Sequence, residues 1–224
     1  MPSTLRKNRD GDRKARSREA LLDAARRSFG QSGYHQTLIS DIVAGAGMGQ
    51  GTFYRYFESK RDVFEAIVDQ FLADLLSPFN EMSEHLPTTV EEYRAASLHA
   101  VGQVADILDR NREITRMFLR EATAIDRDFE EKIAGFYDRF AALARFYLDH
   151  AIARGFARPC HSGVVSQSLM GIALRLIDSF WRGAFPELVV QDVIREVVDF
   201  AFFGLGPRAA DPSRISEPSA PSGE

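Results

Sequence analysis

The chain has 224 residues, of which 45% are hydrophobic and 17 are Phe, enough apolar material for one small and one larger packed domain. This composition excludes collagen-like, disulfide-rich and fully disordered proteins, and the single Cys160 indicates a reducing, cytoplasmic location. The net charge is −4, yet residues 1–60 carry eleven Lys or Arg against six Asp or Glu. A basic segment ahead of an acidic body indicates contact with nucleic acid.

The N-terminal residues predict an arm followed by a first helix. Residues 1–16 are polar and basic without hydrophobic periodicity, so we expect a disordered arm and no signal peptide. Apolar residues then recur at helical spacing from Ser17, and Gly30 and Gly33 are expected to end the helix. No stretch of about 18 apolar residues follows anywhere in the chain, so no membrane span is expected.

Two short helices joined by a glycine-containing turn come next, the pattern of a helix-turn-helix. Thr37 is a good N-cap for the first of them, and the turn spans residues 45–49. The second is predicted over Gln50–Phe57, with Phe53 and Phe57 facing inward. Its other side chains can hydrogen-bond to phosphates or base edges in a DNA major groove.

The rest of the chain predicts further helices. Ser59 and Asp62 form a capping pattern for a fourth helix that Pro78 is expected to stop, and another helix starts at Thr89. Four more are predicted near residues 112–123, 127–154, 163–183 and 187–204. We therefore predict an all-α fold of about nine helices: a basic arm (1–16), a three-helix DNA-binding domain (17–62), a larger helical bundle for ligand binding and dimerisation (63–205) and a Pro/Ser-rich disordered tail (206–224).

Residues Gly47–Lys60, together with the flanking 33–37 and 42–46, resemble the N-terminal domain of the TetR (tetracycline-repressor-like) family, and the similarity extends over about residues 17–68. The resemblance implies a homodimer, DNA recognition by the third helix and an all-helical C-terminal domain that binds a small inducer. Two positions depart from the family pattern: Gly49 stands where Ser or Thr commonly caps the third helix, and Gln50 where Lys is frequent. Ser40 occupies a position where some relatives have a base-reading Arg.

The candidate contacts with a palindromic double-stranded DNA operator combine the outer face of the third helix with its surroundings: Thr37, Ser40, Gln50, Gly51, Thr52, Tyr54, Arg55, Tyr56 and Lys60. Simpler roles stay open for several of them, because the tyrosines can pack in the core, Arg55 and Lys60 can be solvated, and Thr37 can serve only as a cap. The basic arm either follows the minor groove or only keeps the chain soluble.

The larger domain has two further candidate sets. A mainly apolar pocket for a small hydrophobic effector is predicted from Phe71, Phe118, Glu121, Phe136, Phe140, Arg175 and Trp181, although its aromatic members can equally be ordinary core residues. The homodimer interface implied by the family is predicted from Val164, Leu169, Ile172, Leu176, Phe180, Val193, Val197 and Phe200.

A DNA-binding repressor released by a hydrophobic effector is therefore the leading hypothesis. A regulator gated by a partner protein and a helical lipid- or small-molecule-binding module without a DNA-binding role are the alternatives. No catalytic signature, cofactor motif or metal-ligand spacing is present, so neither an enzyme nor a bound cofactor or metal is expected.

Overall fold

The computed structural model describes residues 3–115 and 126–204, which are helical with short connections and contain no strand. A short helical segment at 112–115 supplements the longer helices. In chain order the longer helices are α1 (Ser3–Gln36), α2 (Ile39–Gly45), α3 (Gln50–Phe53), α4 (Lys60–Glu84), α5 (Val90–Arg110), α6 (Arg127–Ala153), α7 (Ser162–Trp181) and α8 (Val190–Phe203). No helix in the described ranges is long and apolar enough to cross a membrane.

Helix α1 is longer than predicted, because it begins at Ser3 and includes most of the expected disordered arm. The Arg and Lys residues there have good helix propensity, and they extend a helix whose Leu21, Leu22 and Phe29 are buried. Gly33 interrupts the helical geometry with a φ of 76°. Gly30, by contrast, lies inside α1, where an added Cβ would be only 2.7 Å from the Cβ of Glu113. A glycine is therefore needed there for α1 to pack against the segment 112–115.

The α2–α3 turn closes as a Schellman motif. The Met48 amide donates to the Val43 carbonyl at 2.8 Å, and the Gly47 amide donates to the Ala44 carbonyl at 3.1 Å. Gly47 adopts a φ of 65°, a conformation that side chains with a Cβ rarely adopt. This turn orients α3 relative to the buried Ile42 and Val43 of α2.

Helix α3 is shorter than the predicted Gln50–Phe57. It follows Gly49, whose missing side chain supplies no capping bond. After Phe53 the hydrogen bonds follow a 3₁₀ pattern, because the Arg55 and Tyr56 amides donate to carbonyls three residues earlier. The segment from Gln50 to Phe57 nevertheless stays compact, since Phe53 and Phe57 are buried.

Helix α4 begins as predicted but passes through Pro78. The Ser59 hydroxyl accepts from the Asp62 amide at 3.1 Å, and the Asp62 carboxylate accepts from the Glu58 amide at 2.9 Å. Pro78 has no amide to donate to the Asp74 carbonyl, which instead accepts from the Ser77 hydroxyl at 2.9 Å. Because this bond and the burial of Pro78 stabilise the turn, the expected stop at this proline is wrong.

The larger domain consists of α5–α8 packed beside the second half of α4. Thr89 and Asp126 cap α5 and α6 by accepting from the Glu92 and Phe129 amides. Helix α6 packs along α7, and α5 packs against α4 and α8. One core of buried side chains runs from Leu21 in α1 through α4 to Phe136 in α6. The predicted boundary at residues 62 and 63 therefore falls inside the helix that both parts share.

Candidate nucleic-acid interface

The outer face of α2 and α3 presents polar side chains, and buried phenylalanines lie beneath it. Phe53 is fully buried, and its ring lies 5.7 Å from that of Phe57. Tyr54 is 58% exposed, so it is a surface residue and not a core residue. Four other predicted DNA contacts are also exposed: Ser40, Gln50, Gly51 and Arg55. Thr52 and Tyr56 are half-buried.

A basic groove lies between the N-terminal half of α1 and the segment that follows α3. It has a volume of about 420 Å³ and is lined by Arg13, Lys14, Ser17, Met48, Thr52, Arg55 and Tyr56. This lining contains three cationic side chains, two hydroxyl residues and a tyrosine, without a carboxylate. Its shape and charge suit a phosphate-bearing chain. The part of α1 before Ser17 thus places Arg13 and Lys14 beside α3.

Two further cations of α1, Arg16 and Arg18, have other contacts. The Arg16 guanidinium donates to the Asp12 carbonyl at 3.2 Å. Arg18 lies over the Phe57 ring, 5.2 Å from its centroid. Their positions are held by the protein itself, so the groove cations Arg13 and Lys14 are the better candidates for contact with a ligand.

Thr37 is neither the predicted cap nor an exposed contact. Its side chain is 1% exposed, and its hydroxyl donates to the Gly33 carbonyl at 2.8 Å. The cap of α2 is Leu38, whose amide donates to the Asp41 carboxylate at 2.9 Å. Because α2 begins one residue later than predicted, the Thr37 hydroxyl faces the end of α1 and not the surface.

Lys60 also has a different environment from the predicted phosphate contact. Its ammonium donates to the backbone carbonyls of Tyr34, His35 and Thr37 at 2.8, 3.1 and 2.9 Å. It lies 4.7 Å from the centroid of the Tyr34 ring. Three acceptors match the three protons of an ammonium, and carbonyls at a helix end attract a cation. In this structure Lys60 therefore joins the start of α4 to the end of α1.

The predicted pocket residues divide into three groups. Phe71 and Phe136 are buried, and Phe140 and Trp181 are half-buried against the same core. Arg175 is on the surface, where its guanidinium donates to the Asp178 carboxylate at 3.0 Å. It is therefore wrong as a polar anchor, because the helix turns this position away from the core. Phe118 and Glu121 lie outside the described residues.

The predicted dimer residues all keep some exposure. Val164 is 61% exposed and Phe200 is 43% exposed. The others are half-buried on α7 and α8: Leu169, Ile172, Leu176, Phe180, Val193 and Val197. Apolar side chains exposed along two consecutive helices of a single chain are a surface that a second subunit can cover.

Comparison with known protein families identifies the N-terminal part. A family model described as "Bacterial regulatory proteins, tetR family" matches residues 21–67, which include α2, α3 and most of the buried face of α1. Residues 21–67 therefore form a DNA-binding domain of the TetR type. The chain is a DNA-binding transcriptional regulator with an N-terminal helix-turn-helix domain, as its resemblance to the family implied.

Known proteins resemble this chain over most of its length. The HTH-type transcriptional regulator YdgC of Bacillus subtilis (strain 168) is 27% identical over 87% of this chain and 95% of its own. FadR from Bacillus subtilis in complex with stearoyl-CoA has a TM-score of 0.68 at 17% identity, over 84% of this chain and 99% of FadR. The complex of triclosan with SmeT, a repressor from Stenotrophomonas maltophilia, has a TM-score of 0.68 at 24% identity, over 83% and 89% of the two chains. These likenesses confirm the all-α fold.

Proposed function

We propose that the chain acts as a homodimeric repressor that binds a palindromic double-stranded DNA operator and leaves it when a hydrophobic small molecule binds the larger domain. The part of the proposal that concerns DNA binding rests on the basic groove lined by Arg13, Lys14 and Arg55 beside the exposed face of α3. Binding DNA requires a compartment that contains it, so the expected cytoplasmic location belongs to the proposal. No reaction is assigned, and the relative YdgC is named as a transcriptional regulator.

The side chains around α3 divide by the part of DNA that each can reach. Tyr54 and Arg55, exposed after the end of the helix, suit phosphate oxygens. Gln50 and Thr52 lie on α3 itself and suit base edges, where an amide pairs well with adenine. Arg13 and Lys14 approach from the other wall of the groove, where the helical extension of α1 can neutralise phosphates of the same strand.

The dimer half of the proposal rests on α7 and α8. The exposed Val164 and Phe200 are accompanied by the partly exposed apolar side chains of the same two helices. Two copies of this surface facing each other would form a four-helix interface with twofold symmetry. Such a dimer would present two α3 segments to two half-sites about one DNA turn apart or slightly more.

The effector half rests on the aromatic core shared by α4, α6 and α7. The Phe140 ring lies 5.0 Å from that of Phe79 and 6.3 Å from that of Phe136. An opening among these rings would bind apolar groups and reject charged ones. Two similar folds were solved with stearoyl-CoA and with triclosan, so a long-chain acyl thioester and an apolar aromatic are the first probes to use.

Selection from a random pool of DNA duplexes tests the DNA half and identifies the operator in the same experiment. We expect the pool to yield one palindromic sequence, and binding to it to weaken steeply as salt rises. Arg55→Ala and Lys14→Ala should each weaken binding to every duplex and reduce the salt dependence by about one counterion. Arg139→Ala, at an exposed position on α6, is the matched control.

Two outcomes would contradict this proposal. A chain that enriches no duplex but retains acyl or aromatic compounds would be a helical binding module. A chain that stays monomeric in sedimentation at micromolar concentration would lack the twofold symmetry that a palindrome requires.

A further inference from the structure

Charged side chains connect the first turns of α4 with the first turns of α6. Helix α4 carries Arg61, Glu65 and Asp69 four residues apart, which places them in one row along the helix. The Arg61 guanidinium donates to the Asp128 carboxylate at 2.9 Å and to the Asp126 carboxylate at 3.3 Å. The Lys132 ammonium donates to Glu65 and Asp69, each at 2.7 Å. We call these six residues, Arg61, Glu65, Asp69, Asp126, Asp128 and Lys132, the clasp.

Two cations of the clasp lie against a buried ring. Phe129 is 1% exposed, and the Arg61 guanidinium and the Lys132 ammonium lie 5.5 and 5.8 Å from its centroid. The Phe129 ring is also 5.1 Å from the Phe64 ring, which in turn lies 5.3 Å from the Phe29 ring of α1. Aromatic contacts thus run from the larger domain through α4 into the DNA-binding domain.

Arg61 connects the clasp to the DNA-binding domain, because it lies close in the chain to α3. Arg61 is four residues after Phe57, where the segment that follows α3 ends, and two residues after Ser59, the cap of α4. Its partner Asp126 caps α6 by accepting from the Phe129 amide at 3.0 Å. The Arg61 Nε is buried and has no hydrogen-bond partner among the described residues. The Arg61 side chain is 40% exposed, and its hydrogen bonds to Asp126 and Asp128 connect it to the start of α6.

Ring packing alone leaves a helix crossing free to rotate by small amounts, whereas charge-assisted hydrogen bonds have preferred directions. We propose that the clasp fixes the tilt of the DNA-binding domain on the larger domain, with Arg61 and Lys132 as positioning residues for operator binding. The operator part of this inference rests on the proposed function. The tilt itself is independent of DNA and can be measured without it.

A distance within one chain reports the tilt directly. One spin label is attached to the native Cys160, just before α7, and a second to Gln31→Cys on α1. Labelled chains are diluted with unlabelled ones so that only distances within a chain contribute. We expect a narrow distance distribution for the parent chain, and a broader or shifted one for Lys132→Met. Lys132→Arg should restore the narrow distribution, and Arg139→Met on the same helix should leave it unchanged.

Salt and a second variant test the same point. In 1 M salt the Debye length falls to about 3 Å, so the parent chain should approach the broad distribution of Lys132→Met. Asp128→Asn removes one partner of Arg61 at a side chain that is 76% exposed, where folding should be retained. If Lys132→Met and Asp128→Asn both keep the narrow distribution, the clasp does not set the tilt.

Operator binding by the same variants, without labels, separates this inference from the proposed function. We expect Lys132→Met to bind the selected operator about tenfold more weakly while its affinity for random duplex is unchanged. A broadened distribution with parental operator affinity would overturn the positioning role. A parent chain that binds no duplex would overturn the proposed function, while the distance measurement would still decide whether the clasp sets the tilt.

Discussion

The ammonium of Lys60 has three backbone carbonyls within 3.1 Å, all at or just after the end of α1. A lysine in a basic, DNA-facing segment predicts a phosphate contact, yet here the helix end supplies the negative partial charges. Tyr54 has the opposite outcome, because an aromatic residue that could have packed in the core is exposed. The same segment therefore contains one residue that supports the fold and one that is available to a ligand.

Replacing Lys60 should lower the free energy of unfolding more than it weakens DNA binding. Lys60→Met keeps most of the stem but removes three charge-assisted hydrogen bonds, so we expect unfolding to become easier by about 2 kcal/mol. Urea denaturation measures this change. Lys14→Met, in the basic groove, is the control and should weaken duplex binding with parental stability. If Lys60→Met is as stable as the parent but loses duplex affinity, the phosphate contact is correct and the capping role is wrong.

Tyr54 and Gln50 should differ in the kind of binding that they support. Tyr54→Phe removes a hydroxyl that we assign to a phosphate, so its loss should weaken binding to all duplexes by about 1 kcal/mol. Gln50→Ala removes a side chain assigned to a base edge, so the preferred sequence should change. Competition between the selected operator and random duplex distinguishes the two effects. Parental behaviour of both variants would contradict the assignment of α3 as the recognition segment.

Among whole elements, α5 and α8 are connected by both charge and aromatic packing. The Arg94 guanidinium donates to the Asp199 carboxylate at 2.9 and 2.6 Å. The Tyr93 ring lies 5.2 Å from the Phe202 ring. Burial raises the pKa of Tyr93 to about 12, with a smaller contribution from Tyr147. This contact makes the attachment of α8 sensitive to alkaline pH.

The sign of that dependence follows from the raised pKa of Tyr93. An unfolded tyrosine ionises near pH 10, while the folded one stays neutral to about pH 12. The stabilising contribution is thus complete below pH 10 and is lost as pH rises toward 12. Tyr93→Phe cannot ionise, so its free energy of unfolding should fall less between pH 9 and 11. Denaturation at several pH values tests this, and parallel curves for parent and variant would contradict it.

Helix α7 provides the prediction about assembly. Leu176 is half-buried in the single chain. A charged side chain at this position can stay solvated in the monomer, but it would be buried in a subunit interface. We expect Leu176→Arg to give monomers or aggregates and to lose operator binding, because a single α3 reaches only one half-site. Sedimentation measures the assembly. Gln167→Arg, at an exposed position on the same helix, is the control, and a dimeric Leu176→Arg would contradict the proposed interface.

At the scale of the whole molecule, one core connects α1 with the larger domain through α4. A compound that binds among α4, α6 and α7 can therefore alter DNA binding only through a change in how these helices pack. By linkage, an effector that releases DNA must bind the free protein more tightly than the DNA-bound protein. A tenfold release needs a difference of about 1.4 kcal/mol.

Acyl thioester and apolar aromatic probes test this coupling. At about one hundred times its dissociation constant, a ligand should raise the free energy of unfolding by about 2.7 kcal/mol. The same ligand should lower operator affinity. Phe140→Ala should weaken its binding, whereas Phe146→Ala, at a position on the same helix that is 47% exposed, should not. A probe that stabilises the protein yet leaves operator affinity unchanged would contradict the coupling.

Local patterns in the sequence determined much of this protein. The helices predicted at 127–154, 163–183 and 187–204 match α6–α8 to within a few residues, and the capping pairs Ser59–Asp62 and Thr89–Glu92 marked the starts of α4 and α5. The Gly47–Lys60 stretch was enough to indicate the family that the comparison confirms. These features depend on residues a few positions apart, where the backbone geometry is the same in any fold.

Which side chains are buried, and which polar groups meet, was decided only by the tertiary structure. Ser77 donates to the carbonyl that Pro78 leaves without a donor, Thr37 turns inward, and Arg175 turns outward to Asp178. The clasp joins residues more than sixty positions apart, as in Arg61–Asp128 and Lys132–Glu65. Charged side chains have no period that identifies their partners, because the partner depends on which helices pack together. The sequence alone therefore determined the helices and the family, whereas packing decided which polar groups support the fold and which remain available to bind DNA.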